Sequence, residues 1–322
     1  MAGPRNRGKG SRGAGGDGEI ARLAAGQHGL ISLEQLAEAG VNRQSASHRS
    51  GLERLHRVHR GVYAVGHRSI GEPGRHLAAV FACGPGALIS HLSAAALWGL
   101  REVAPVVIDV IVPCQTGRKI DGIRARRCRY PESDEHTNLN GIPCTTPDRT
   151  LIDLAGTIGR TGLQGALDQA AVLGLLDPIA IDISLQRAGR RPGVSLLRAL
   201  LGDLRDEDGS IPLLRSRLEA RMLRALSESG LPRPRCNAIL EIEGESFEID
   251  MLWQEERLAI ETDGEETHGT PLAFQRDRRR DQILGAAGYR TARVTWRQMG
   301  DEPAAVLERI RRMLEPDDRP ER

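Results

Sequence analysis

Residues 247–263 constrain this chain more than any other stretch. Residues 247–253 alternate strictly, with Phe247, Ile249, Met251 and Trp253 on one side and Glu248, Asp250 and Leu252 on the other. Residues 258–263 alternate too, with Leu258, Ile260 and Thr262 against Ala259, Glu261 and Asp263. A period of two is the signal of a half-buried strand. The polar residues 254–257 join the runs, and a hairpin that pairs Trp253 with Leu258 sets Asp250 opposite Glu261. Directly opposed Cβ atoms stand roughly 4.5–5.5 Å apart, so like charges there repel. Asp263 adds a third carboxylate to the same face. Two readings explain such a face: a solvated acidic surface, or a site for a hard divalent cation, since Mg²⁺ takes carboxylate oxygens together with waters and a substrate phosphate.

Charge is segregated around this hairpin. Residues 241–266 hold eleven acidic side chains and one basic one, Arg257; residues 276–297 hold seven Arg against Asp277 and Asp281. An acidic patch beside an Arg-rich helix and strand suits a phosphodiester, with a cation at the scissile phosphate and Arg on its neighbours. Upstream, Leu214, Leu218, Met222 and Leu226 recur at fourfold spacing, an apolar helical stripe with Glu219 at its edge.

An Asp on one strand, Glu-x-Asp-Gly and a His on the next, then a helix with Asp-x-x-Arg-Asp resembles the PD-(D/E)XK nuclease superfamily. More narrowly, residues 212–314 are similar to a domain related to very-short-patch-repair endonucleases. The superfamily's Lys, two residues after the Glu, is Asp263 here. The repair endonucleases also lack that Lys and use a downstream His, which His268 matches. The resemblance implies Mg²⁺ or Mn²⁺ held by Asp250, Glu261 and Asp263, with Glu219 contributing from the preceding helix. It implies His268 as general base, Arg280 as a phosphate clamp, and Asp277 and Asp281 as supports that orient them.

The N-terminal part reads differently. Residues 1–18 are basic and Gly-rich, a tail by composition. Residues 19–66 suggest three short helices and a hairpin: Ser32 and Gln35 form a capping-box pattern, Gly40 ends that helix, Asn42 caps the next, and residues 55–65 alternate around Gly61. Between residues 42 and 61, five Arg face one Glu. Helix, turn, helix and basic ribbon is the order of a winged helix-turn-helix, whose second helix enters the major groove. Asn42, Arg43 and Gln44 are suited to base edges, and Arg49, Arg57 and Arg60 to phosphate. The alternative is a small helical cap with a solvated Arg face. This segment resembles the N-terminal domain of AbiEi-type antitoxins, which are repressors, and residues 90–155 resemble the central domain that accompanies it.

That central stretch is the least readable. Ser90, His91, Asp148, Arg149 and Asp153 offer the residue types of a hydrolase, but no nucleophile-elbow pattern accompanies them, so caps and buried hydrogen bonds are the better reading. Linkers fall at residues 187–193 and 202–210. The expected fold is therefore a multidomain α+β and α/β chain. Residues 19–70 form a winged helix-turn-helix, 76–201 a mixed α/β central domain, and 211–316 a restriction-endonuclease-like α/β domain.

Composition adds limits. The net charge is only +2, so the argument for nucleic acid rests on where charges lie. Apart from Lys9 and Lys119 every basic residue is Arg. Five scattered Cys without a Cys-x-x-Cys spacing suggest reduced thiols and a cytoplasmic protein. No run is apolar and long enough to span a bilayer. The expected partners are double-stranded DNA and a protein of toxin–antitoxin or defence type, with no membrane. Two functions compete: a Mg²⁺-dependent DNA endonuclease, and an antitoxin-like repressor whose nuclease-like domain is inactive.

Overall fold

The cap at Ser32 shows how local chemistry sets the N-terminal elements. Ser32 and Gln35 bond reciprocally, side chain to backbone, and start a short helix at Leu33 as the sequence predicts. The computed structural model describes residues 12–102, 104–113, 119–128, 131–206, 208–212, 214–263 and 271–315, with the side chains of 12–16 and 271–277 outside that description. Two compact units divide it, Met1–Leu154 and Ala155–Arg322.

The first unit opens with α1 (Arg12–Ala25), which begins inside the stretch read as a tail. Then come β1 (Leu30–Ser32), α2 (Leu33–Glu38), α3 (Arg43–Gly51), β2 (Leu55–His59) and β3 (Val62–Val65). Asn42 caps α3 by accepting the Ser45 N–H at 2.9 Å. The three strands form an antiparallel sheet ordered β1-β3-β2, so β2 is an outer strand. Ile20, Ile31, Leu36, Val41, Ala46, Leu55 and Tyr63 make a local core.

The chain continues through α4 (Glu72–Cys83), β4 (Leu88–Ile89), α5 (His91–Leu97), β5 (Ile108–Val112), β6 (Ile123–Arg127), β7 (His136–Leu139), β8 (Ile142–Thr145) and α6 (Pro147–Ala155). The sheet runs β6-β5-β4-β8-β7. Leu30, Val62 and Ala64 of the first sheet share a core with Leu77, Ile89 and Val110, so the two sheets of this unit are packed as one body. The predicted strand at 106–112 starts later, because Val106 is exposed. The polar residues of this region make hydrogen bonds within the fold. The Ser90 hydroxyl lies 2.9 Å from His91 Nδ1, and buried Arg149 bonds Asp153 at 3.0 Å and Glu135 at 2.9 Å.

The second unit holds α7 (Arg160–Val172), α8 (Pro178–Ala188), α9 (Val194–Gly202), α10 (Arg217–Glu228), β9 (Arg235–Ile242), β10 (Glu245–Trp253), β11 (Leu258–Asp263), α11 (Pro271–Ala286), β12 (Arg290–Thr295), α12 (Trp296–Asp301) and α13 (Pro303–Leu314). Its sheet is ordered β12-β11-β10-β9, with β11 and β12 parallel and joined through α11. α10 begins at Arg217 behind the Ser216 cap, so Leu214, the first residue of the apolar stripe, precedes the helix. Arg224 is buried there, paired with Asp168 of α7 and bonded to the Leu200 carbonyl at 2.8 Å. No helix among the described residues is long and apolar enough to cross a membrane.

Candidate functional site

The hairpin of β10 and β11 has the register the alternation predicts: Trp253 pairs with Leu258, Leu252 with Ala259, and Met251 with Ile260. The next step along the same register brings Asp250 to Glu261. There the Asp250 carboxylate bonds to the neighbouring strand, one oxygen accepting the Thr262 N–H at 2.7 Å and the Thr262 hydroxyl at 2.8 Å. On the other side the β9–β10 ladder passes over the position of Asn237 and Asp250, and Asn237 has a left-handed φ of 48°. Glu261 pairs with Arg293 on β12. Asn237, Asp250, Glu261 and Arg293 therefore form one polar row across four strands.

Two helices close on this row. Glu219, 2% exposed in the first turn of α10, accepts the Asn237 amide at 3.0 Å and the Arg215 N–H at 3.0 Å. From α11, Arg280 donates to both the Glu261 carboxylate and the Glu248 carbonyl. Burial pushes the Glu261 carboxyl up to about 7; Arg280 and Arg293 pull it down, while Asp250 and, less strongly, Asp263 push it further up. A carboxylate gathered with others away from water is stabilised by a neighbouring cation, and Arg280 is paired with Glu261 here.

Arg280, the expected phosphate clamp, uses its Nη2 for both Glu261 and the Glu248 carbonyl. Asp281, the expected support, is exposed. His268 and the Asp277 side chain lie outside the described residues. Among the described residues no three His, Cys, Asp or Glu side chains stand at metal-binding separations. In kind, the donors around Asp250 and Glu261 fit a hard divalent cation, which prefers carboxylate oxygen. Asn237, Thr262 and Arg293 are site residues that sequence reading missed. Extending the hairpin register to β9 would have found Asn237, since it falls opposite Asp250.

At the other end of the chain, Arg43 and Gln44 are exposed on α3, and Arg57 and Arg60 are exposed on the β2–β3 hairpin. Asn42 spends its side-chain oxygen on the cap. Arg49 is paired with Asp17 of α1.

Comparison with known families follows the same division. Residues 19–66 match the model described as a transcriptional regulator, AbiEi antitoxin; residues 87–202 match the AbiEi antitoxin C-terminal domain; and residues 219–314 match REase_MTES_1575, a restriction-endonuclease-like family. The chain thus matches AbiEi antitoxin models in its first two thirds and a restriction-endonuclease-like model in its last third. The second AbiEi match crosses the Leu154–Ala155 division between the two compact units. Two uncharacterized proteins of Mycobacterium tuberculosis, one from strain CDC 1551 / Oshkosh and one from strain ATCC 25618 / H37Rv, are each 26% identical over 264 residues, 81% of this chain and 93% of theirs. The crystal structure of the RV2827C protein from Mycobacterium tuberculosis aligns with a TM-score of 0.40 and 17% identity, over 64% of this chain and 79% of that one. The polar row, Glu219 and Arg280 all fall within the restriction-endonuclease-like match.

Proposed function

We propose that this chain is a DNA-binding protein whose restriction-endonuclease-like domain hydrolyses DNA phosphodiester bonds with a divalent cation, Mg²⁺ or Mn²⁺. The observation that carries this reading is Glu261, largely buried beside Asp250 with its carboxyl raised to about 7. Asp250 and Glu261, with Asp263 directly or through water, are the residues that would hold the cation. When bound there, such an ion supplies Lewis-acid stabilisation of the phosphate and a more acidic water. Glu219, bonded to Asn237, is a further carboxylate that would contribute from α10. His268, which follows the metal strand, takes the proton of the attacking water as its oxygen joins phosphorus and the P–O bond to the leaving nucleotide breaks. Arg43 and Gln44 of a winged helix-turn-helix would face the major groove, with Arg57 and Arg60 on phosphate.

A second reading is favoured by Arg280. Its guanidinium already neutralises Glu261, and Asp263 stands where the superfamily has Lys, as in an AbiEi-type repressor that retains an inactive nuclease-like domain and binds a toxin partner. Nicking of supercoiled plasmid separates the two. The endonuclease reading expects Mg²⁺-dependent nicking that Glu261→Gln abolishes and that His268→Ala slows by about 10²–10⁴-fold without loss of metal affinity. Purified wild-type protein that never nicks in Mg²⁺ or Mn²⁺ leaves the repressor reading in its place.

A further inference from the structure

The first unit contains a groove of about 610 Å³ between the outer strand β2 and the segment that leads into β6. Its lining includes an apolar part, with Val58, Ile70 and Ile123 among the residues that form it. Its walls carry Arg57, Arg68 and Arg75, while Asp121 is the one acidic side chain among its lining residues. Arg68 is paired with Glu53 at 3.2 Å; Arg57 and Arg75 have no ion-pair partner among the described residues. A solvated Arg face is commonplace on a convex surface. Here three Arg line one concavity together with apolar residues, and only Arg68 of the three has an ion-pair partner among the described residues.

The backbone supports the same reading. The β2–β3 register shifts between Arg57 and His59, a bulge of the kind that re-aims side chains beside binding sites. Val58 is thereby packed against the core shared by the two sheets, with Arg57 left on the exposed side.

We infer that this groove binds a small phosphorylated molecule of nucleotide size, with its ring on the apolar part of the lining and its phosphates on Arg57, Arg68 and Arg75. The volume lies inside the roughly 300–1,000 Å³ range of small-molecule sites and is too small for a duplex. Arg matches phosphate oxygens bidentately, and Asp121 offers an acceptor to an exocyclic amine. Ser50 of α3 and Arg57 of the hairpin both line the groove, so an occupant touches the two elements assigned to DNA. Ligand and DNA would then alter each other's affinity by the same factor. This coupling rests on the DNA-binding reading; the binding itself does not.

Calorimetric titration of the full chain in EDTA tests it, with ATP, inorganic triphosphate and adenosine as probes. EDTA removes any contribution from a cation at Asp250 and Glu261. The expected result is one ATP per chain, with triphosphate and adenosine each at least about tenfold weaker, a difference of about 1.4 kcal/mol. Arg75→Gln and Arg68→Gln, both exposed positions, should each weaken ATP about tenfold or more. Arg127→Gln, which removes an equal charge outside the groove, should not. The inference is overturned if ATP gives no binding, if Arg75→Gln and Arg68→Gln bind ATP like wild type, or if Arg127→Gln weakens it as much as they do. Triphosphate as tight as ATP overturns the role of the apolar part of the lining. Duplex DNA that displaces ATP and loses affinity equally in Arg75→Gln would give the groove to DNA instead.

Discussion

Glu261 carries two opposed demands, and both can be measured. Its carboxyl ordinarily titrates near 4.5 and is raised to about 7 in the fold, chiefly by burial. A raised carboxyl means that the folded state holds its proton more tightly than the unfolded chain. Stability is therefore lost as pH rises from 4.5 through 7, and the loss is complete above 7. Glu261→Gln removes that titration. In metal-free protein the variant should gain on wild type across this window, by up to about 3 kcal/mol for a shift of this size. Denaturant unfolding at pH 5 and pH 8 measures it; a difference independent of pH would show that burial does not govern this carboxylate. Arg280 supplies the second demand, because it competes with any cation for Glu261. At pH 8 without DNA, Arg280→Gln should bind Mn²⁺ about tenfold more tightly, or about 1.4 kcal/mol. Weaker binding would instead make Arg280 a support that positions Glu261. At this scale the sequence was informative where a period of two set the register and silent where side chains chose partners. Alternation placed Asp250 at Glu261, but nothing local announced that Thr262 would bond Asp250 or that Asn237 would reach Glu219.

Among the elements, capped helices and the alternating hairpin were legible because their signals lie within a few residues. Ser32 with Gln35 and Asn42 with Ser45 are examples. β1 and β4 were not, since strands of three and two residues carry no periodicity. Asn42→Ala should cost α3 about 1 kcal/mol, the ordinary value of an N-cap, read as a lower thermal midpoint. If α3 and the hairpin contact DNA mainly through phosphate, binding of the full chain to a duplex should also fall steeply with salt, as counterions are released. Salt-independent binding would contradict that. The start of α9 offers a third check. Gly193 has φ 80°, and a Cβ there would lie 1.8 Å from the Ala155 carbonyl oxygen. Gly193→Ala should destabilise its unit by about 3 kcal/mol or more, since neither the backbone angle nor the space admits a side chain.

For the whole molecule, the boundary between the two compact units at Leu154–Ala155 falls inside the segment 76–201 and inside the AbiEi C-terminal match at residues 87–202. α7 packs against both α9 and α10, and Arg224 of α10 pairs with Asp168 of α7, 56 residues away in sequence, and bonds the Leu200 carbonyl of α9. Long-range packing of this kind leaves no local trace. Arg224→Ala should be among the more damaging substitutions, about 3–5 kcal/mol, because it leaves Asp168 buried without its partner. What the second unit does depends on whether its polar row holds a cation. Calorimetric titration of Mn²⁺ into the metal-free full chain at pH 8 addresses this directly. Saturable binding that Asp250→Asn and Glu261→Gln each weaken at least tenfold is the predicted result; no binding by folded wild-type protein, or binding indifferent to both substitutions, would contradict it.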